Sequence, residues 1–281
     1  MKLYIGCTGF SYPDWFSNKG AFYPPNIRKD ELLAYYATVF PLCELNTTFY
    51  SVPKPETIKR WAESIPSDLI LTAKIPKSIS HSENISAHEL ELEAFLSSMK
   101  PLSNNLKLLI FQLPPRFIKN QENYKQLSDF LSVFPINEFP LAIEFRHKSW
   151  FETDTWCFLN EQNVGIVSSY LPYLEFSLFP EVTQSYFYLR LIGSQKQTIG
   201  KGKELIDRTN HLMHILDMLQ EIGETFEKHS AYITINNHYS GYSPNTAQKL
   251  MRLAKNTGNF EVIEPKIKFF KGQQKLNKFF S

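Results

Sequence analysis

The sequence predicts an α/β protein folded as a (β/α)8 TIM barrel. Strand and helix signals alternate almost throughout, which implies parallel strands joined by crossover helices. Eight such units fit into about 255 residues, the usual size of this barrel. No glycine-rich phosphate loop supports the alternative, an open doubly wound sheet.

The first predicted strand runs from Lys2 to Cys7 and stops at Thr8-Gly9-Phe10. Leu32, Leu33, Tyr36 and Phe40 share one face of a helix predicted from Asp30 to Phe40. The second strand carries Glu44, Asn46 and Thr48 on one face, and Pro55 opens the helix that follows. Ile70 to Ile75 is strand three, with Lys74 near its end; Glu89 to Met99 is the next helix. Leu106 to Leu113, almost wholly apolar, is strand four and is stopped by Pro114-Pro115. A helix from Tyr124 to Phe134 leads to strand five, Leu141 to Arg146, and a helix from Thr153 to Asn163 follows. Val164 to Ser169 and Tyr186 to Leu191 are strands six and seven. Between them Tyr170 to Gln184 lacks a helical period and contains two prolines, so one repeat is degenerate. Leu205 to Phe226 is the longest predicted helix, Ala231 to Ile235 is strand eight, and Pro244 opens the last helix. Residues 1–256 are therefore expected to form a single barrel domain, and residues 257–281 a C-terminal extension ending in a basic tail.

Strand five is the most informative segment. Alternation puts Ala142, Glu144 and Arg146 on one face and Ile143 and Phe145 on the other. An apolar strand ending in a carboxylate and a guanidinium reads as buried, and buried charges persist only when paired. Active sites of this barrel lie at the C-terminal ends of the strands. Glu44, Lys74, Glu144 and Arg146 collect there as candidate catalytic residues. Tyr12, Trp15, Asn46, Tyr50, His81, Gln112, His147, Trp150, Arg190, Asn236 and Asn237 collect there as candidate ligand-binding residues. Two carboxylates facing Lys74, Arg146 and Arg190 leave a cationic surplus, which favours a small phosphate- or carboxylate-bearing ligand. One glutamate could then act as a general base. The competing expectation is a structural network in which Glu44 and Glu144 merely neutralise the arginines.

Other chemistries find little support. Only Glu44, Glu144, His81 and His147 could contribute to a metal site, a thin set, and the residues leave both metal use and cofactor open. Lys74 could form a Schiff base if desolvated. No serine sits in a Gly-x-Ser-x-Gly elbow, and three scattered cysteines fit reduced thiols, hence a cytoplasmic protein. No uncharged apolar run approaches the ~18 residues a membrane helix needs. The net charge is +2. Five lysines and no acid lie between Pro265 and Ser281, so the body holds 25 basic against 28 acidic residues. That balance does not suit direct nucleic-acid binding by the barrel.

Several motifs carry a resemblance: Gly6-Cys7-Thr8-Gly9-Phe10-Ser11-Tyr12 with Trp15 and Phe22-Tyr23-Pro24, Glu44-Leu45-Asn46-Thr47-Thr48-Phe49-Tyr50, Gln112-Leu113-Pro114-Pro115, Glu144-Phe145-Arg146-His147 with Trp150, and Asn236-Asn237. In this order they resemble the YecE-like family, domain of unknown function 72. The resemblance covers roughly residues 2 to 255 and implies a (β/α)8 barrel with a polar pocket, without an activity or cofactor. That family usually has Arg-Leu-His-Gly after strand seven, where this chain reads Arg190-Leu191-Ile192-Gly193. If the histidine took part in catalysis, Ile192 would leave this member altered or inactive.

The chain ends in a second pattern, Gln-x-x-Leu-x-x-Phe-Phe, formed by Gln273, Leu276, Phe279 and Phe280. It looks like the peptide with which replication and repair proteins dock on a sliding DNA clamp. In one helical turn Leu276, Phe279 and Phe280 form an apolar plug, with Gln273 as a hydrogen-bonding anchor. The rival expectation is that these aromatics cap the barrel.

Overall fold

The structure, a computed structural model, describes residues 1–16, 22–174, 185–194, 202–225 and 229–267. Eight parallel strands close into a barrel: β1 (Lys2–Thr8), β2 (Leu42–Leu45), β3 (Ile70–Lys74), β4 (Leu106–Gln112), β5 (Leu141–Glu144), β6 (Gly165–Tyr170), β7 (Tyr186–Leu191) and β8 (Ser230–Ile235). Each pairs with the next, and β8 with β1 and β1 with β2 complete the circle. The helices between them are α1 (Leu32–Tyr36), α2 (Thr47–Tyr50), α3 (Pro55–Ser64), α4 (Lys77–Ser80), α5 (Glu89–Met99), α6 (Gln121–Val133), α7 (Thr153–Glu161), α8 (Thr209–Thr225), α9 (Asn237–Ser240) and α10 (Ser243–Thr257). Among the described residues no helix is long and apolar enough to cross a membrane.

Strand parity separates two apolar regions. Leu71, Ala73, Leu109, Phe111 and Ile143 point outward and join the large core beneath the helices. Their neighbours Leu108, Ile110, Ala142, Val167 and Tyr188 form a separate small cluster inside the barrel, with Tyr186 and Tyr232 packed against it. The inward positions at the C-terminal ends are polar: Glu44, Lys74, Gln112, Glu144, Ser169 and Arg190. Register keeps them level, since Gln112 is paired with Glu144 and Ser169 with Arg190.

Some boundaries differ from those expected. The first helix is broken into a 3-10 turn at Lys29–Glu31 and the short α1. Its last residue, Tyr36, sends its hydroxyl into the seam between β1 and β2. There it accepts from Cys7 N–H at 2.6 Å and donates to Leu42 O at 2.7 Å. The predicted second strand stops at Leu45, and Asn46 precedes the helical turn α2. Thr48, expected on that strand, instead donates from α2 to the backbone oxygens of Leu45 and Lys74. The long helix begins at Thr209 rather than Leu205, because Asp207 accepts from Thr209 N–H and Leu205 N–H bonds to Ser240 O. Of the degenerate repeat, residues 175–184 lie outside the described residues.

After α10 the chain turns at Gly258, φ 71°, and adds β9 (Glu261–Val262). β9 pairs with Lys2 and Leu3, the half of β1 that β2 leaves free, since β2 reaches only Gly6 to Thr8. The first residues of the expected extension are therefore hydrogen-bonded to the barrel.

Candidate functional site

Arg190 stands at the centre of the barrel mouth, 2% exposed. Its Nε and one terminal nitrogen grip Glu44 in bidentate fashion at 2.9 and 2.7 Å, and the other terminal nitrogen donates to Glu144 at 2.5 Å. Glu44 also accepts from the Tyr188 hydroxyl at 3.1 Å and the Thr234 hydroxyl at 3.0 Å. Thr72 lies 2.8 Å behind Tyr188 and extends the chain of hydrogen bonds into the barrel. Glu144 is bound by Arg146 at 2.7 Å and by the Ser169 hydroxyl. Both carboxylates are fully buried and fully engaged.

The remaining cations are differently placed. Lys74, 4% exposed, donates to Gln112 Oε1 at 2.6 Å and lies 3.7 Å from the centre of the Phe49 ring. Among the described residues it forms no ion pair with either carboxylate. Arg146 also reaches Gln112, at 3.1 Å, and the Tyr173 hydroxyl at 3.2 Å. Its Nε, in a side chain only 9% exposed, is buried and has no acceptor among the described residues. Asn46 Oδ1 and Thr8 Oγ1 are likewise buried without partners among the described residues.

The charges act on one another. Burial raises the Glu144 carboxyl, but Arg146, Arg190 and Lys74 together outweigh it and hold the group down at about 2. For Lys74, burial and then Arg190 lower the ammonium to about 7, against the pull of Glu144 and Glu44. Burial, with Lys74 and Arg116 nearby, lowers His81 to about 4, so its imidazole is neutral at neutral pH. Burial opposes charge on Arg190, yet the two carboxylates leave it more firmly protonated than usual.

The structure thus brings Glu44, Lys74, Gln112, Glu144, Arg146 and Arg190 into one cluster. A neighbouring cavity of about 240 Å³ at the same mouth is lined by Gly9, Tyr12, Asn46, Tyr50, Asn236 and His238, among others. Tyr50 is 75% exposed at its edge. His81 touches the cluster's border through the Phe49 ring. Four expected site residues serve other contacts. Trp150 is buried against Phe117 and Phe145, with its Nε1 donating to Phe117 O. His147 bonds to Ser149. Trp15 Nε1 donates to Asn237, which also joins Ser243 and Asp14 and so ties the first loop to α10. Tyr188, Ser169 and Thr234 were not singled out from the sequence, although strand parity already aligns Tyr188 with Arg190. Ile192 donates its N–H to Tyr170 O at 3.2 Å. At Gly193, φ 73°, a Cβ would lie 2.4 Å from His238 O, so glycine is required there. Gln273, Leu276, Phe279 and Phe280 lie outside the described residues. Among the described residues no three His, Cys, Asp or Glu side chains cluster as a metal site would require.

The family described as "Protein of unknown function DUF72" matches residues 4–268. The UPF0759 protein YecE of Escherichia coli K12 is 32% identical over 150 residues, and the UPF0759 protein YunF of Bacillus subtilis is 28% identical over 155. Each alignment covers 53% of this chain, and the chain spans about half the length of these curated relatives, 50% and 52%. A crystal structure of a DUF72 family protein from Thermotoga maritima gives a TM-score of 0.75 at 26% identity, covering 91% of this chain and all of that one. Another, from Enterococcus faecalis, gives 0.67 at 22% identity, covering 90% and 98%; at that identity the likeness concerns the fold alone.

Proposed function

The chain belongs to the DUF72 family, whose description names no reaction, and from that premise we propose that its barrel mouth binds a small anion bearing a phosphate or carboxylate. One observation carries this reading: the cluster holds more positive groups than its own carboxylates engage. Glu44 and Glu144 are saturated by Arg190, Arg146 and neighbouring hydroxyls. Lys74 is left with a neutral amide and an aromatic ring, and Arg146 keeps a buried N–H without an acceptor. Leaving such a donor unmet costs about 1–3 kcal/mol, which an anion accepting from it would offset. Arg190 in this reading does not grip the ligand, since its donors already hold the two glutamates; it fixes the floor of the site. The neighbouring cavity of about 240 Å³, lined by Tyr12, Asn46 and Tyr50 rather than by Lys74 or Arg146, would house the rest of a compound of few heavy atoms.

The test is titration calorimetry with inorganic phosphate and with pyruvate. Wild-type protein is expected to bind one of them saturably, and Arg146→Ala to weaken that binding by about tenfold, roughly 1.4 kcal/mol. No saturable binding, or equal binding by the variant, contradicts the reading.

The terminal Gln273, Leu276, Phe279 and Phe280 support a second role, recruitment to a sliding DNA clamp in a cytoplasmic DNA-metabolism protein. The sequence pattern favours it, and the last described residue, Ile267, is already half exposed. Removing residues 273–281 is expected to abolish clamp binding with little change in melting temperature. Clamp binding by the truncated chain would exclude this role.

A further inference from the structure

Among the described residues Lys74 is a buried amine without an ion-pair partner. Its backbone is rigid: Thr48 donates to its carbonyl at 2.8 Å, and the next residue, Ile75, bonds to Ile110 O across the ladder. Its Nζ is buried beside two carboxylates, yet both face guanidiniums instead, and its acceptor is the neutral Gln112. The charged groups around it are Arg190, Arg146, Glu144 and Glu44, with His81 at the border.

We propose that Lys74 is an amine nucleophile that forms an imine with the carbonyl carbon of a small anionic aldehyde or ketone held at the barrel mouth. This deepens the anion-binding reading and rests on it. The Nζ lone pair attacks the carbonyl carbon while the carbonyl π electrons move to oxygen, which takes up the proton that the nitrogen loses. The resulting carbinolamine hydroxyl takes a second proton from solvent and leaves as water as the nitrogen lone pair closes the C=N bond, and the iminium so formed can return its remaining N–H proton to solvent. Amine and carbonyl thus become imine and water without oxidation or reduction. Arg146 holds the substrate's anionic group, and the imine nitrogen, once protonated, replaces the ammonium between Gln112 and the Phe49 ring.

The amine must be unprotonated to attack, and burial together with Arg190 brings Lys74 to about 7. The free amine is therefore far more populated at neutral pH than in an ordinary, solvent-exposed lysine. Glu144, held at about 2, stays ionised and does not compete as a proton donor.

The test is reductive trapping. The full chain is incubated with glyoxylate, a small anionic aldehyde, at pH 7.5, quenched with sodium borohydride and mapped by peptide mass spectrometry. Lys74 is expected to label at least tenfold faster than the surface lysines of the same molecules, an internal comparison that needs no variant. Its rate should level off above about pH 7, while surface lysines keep accelerating. Arg146→Ala should slow Lys74 labelling by glyoxylate more than labelling by uncharged glycolaldehyde, because it removes the anion's partner as well as one of the charges that lower the ammonium. Labelling of Lys74 no faster than surface lysines, with phosphate or pyruvate still bound, overturns the imine and leaves the binding reading intact. Fast Lys74 labelling that does not distinguish glyoxylate from glycolaldehyde, with no anion bound, instead overturns the binding reading and the anionic substrate class with it.

Discussion

At Glu144 two guanidiniums meet one buried carboxylate, so a change that removes its charge leaves both without their shared counter-ion. Breaking a buried pair in this way costs about 3–5 kcal/mol. Glu144→Gln is therefore expected to lower the melting temperature substantially at pH 7. The sign with pH follows from the direction of its shift. A carboxyl held at about 2 in the folded chain stabilises fully above the ordinary glutamate range, and that contribution is lost as pH falls towards 2. Thermal melts of wild type and Glu144→Gln should thus diverge most near neutrality and converge in acid; a constant gap would exclude the ion network as the cause. Alternation along single strands made Glu44, Lys74, Glu144 and Arg190 legible in the sequence, because buried charge at the end of an apolar strand is rare. Which cation each carboxylate takes was not legible. That depends on distances across the barrel, where Arg190 reaches residues 146 and 46 positions away.

Between elements, β1 and β2 pair over only Gly6 to Thr8. The tyrosyl hydroxyl at the end of α1 stands in the ladder there, accepting from one strand and donating to the other. Tyr36→Phe leaves a buried N–H and a buried carbonyl unmet at nearly constant shape. It is expected to cost about 1–3 kcal/mol in chemical denaturation, and a loss well below that range would mean the strands close over the gap. β9 covers the other half of the β1 edge through Glu261 N–H to Met1 O and Ile263 N–H to Leu3 O. Truncation after Gly258 should expose that edge, lower the melting temperature and promote aggregation, seen by light scattering. An unchanged melt would show β9 to be dispensable. Periodicity found most helices, yet missed the break before α1 and the strand after α10. The first falls before Leu32, outside the apolar spacing of Leu32, Leu33, Tyr36 and Phe40, and a two-residue strand leaves no period to read.

For the whole molecule, the barrel interior carries a ring of charge above a small apolar and tyrosine-lined layer, where branched aliphatics usually fill the layers. Such a ring is tolerable because Arg190 ties strands β2, β5 and β7 together through two glutamates. The charge that no carboxylate engages then falls on Lys74, beside the open N–H of Arg146, and in the proposed reading a small anion completes that arrangement. Crystals of the full chain equilibrated with selenate, a phosphate-like anion with an anomalous signal, locate such a ligand directly. An anomalous peak is expected within hydrogen-bonding distance of Arg146 Nε and beside Lys74 Nζ, lost in Arg146→Ala crystals. Well-ordered crystals with selenate peaks only elsewhere on the surface, and none at the mouth, would contradict it.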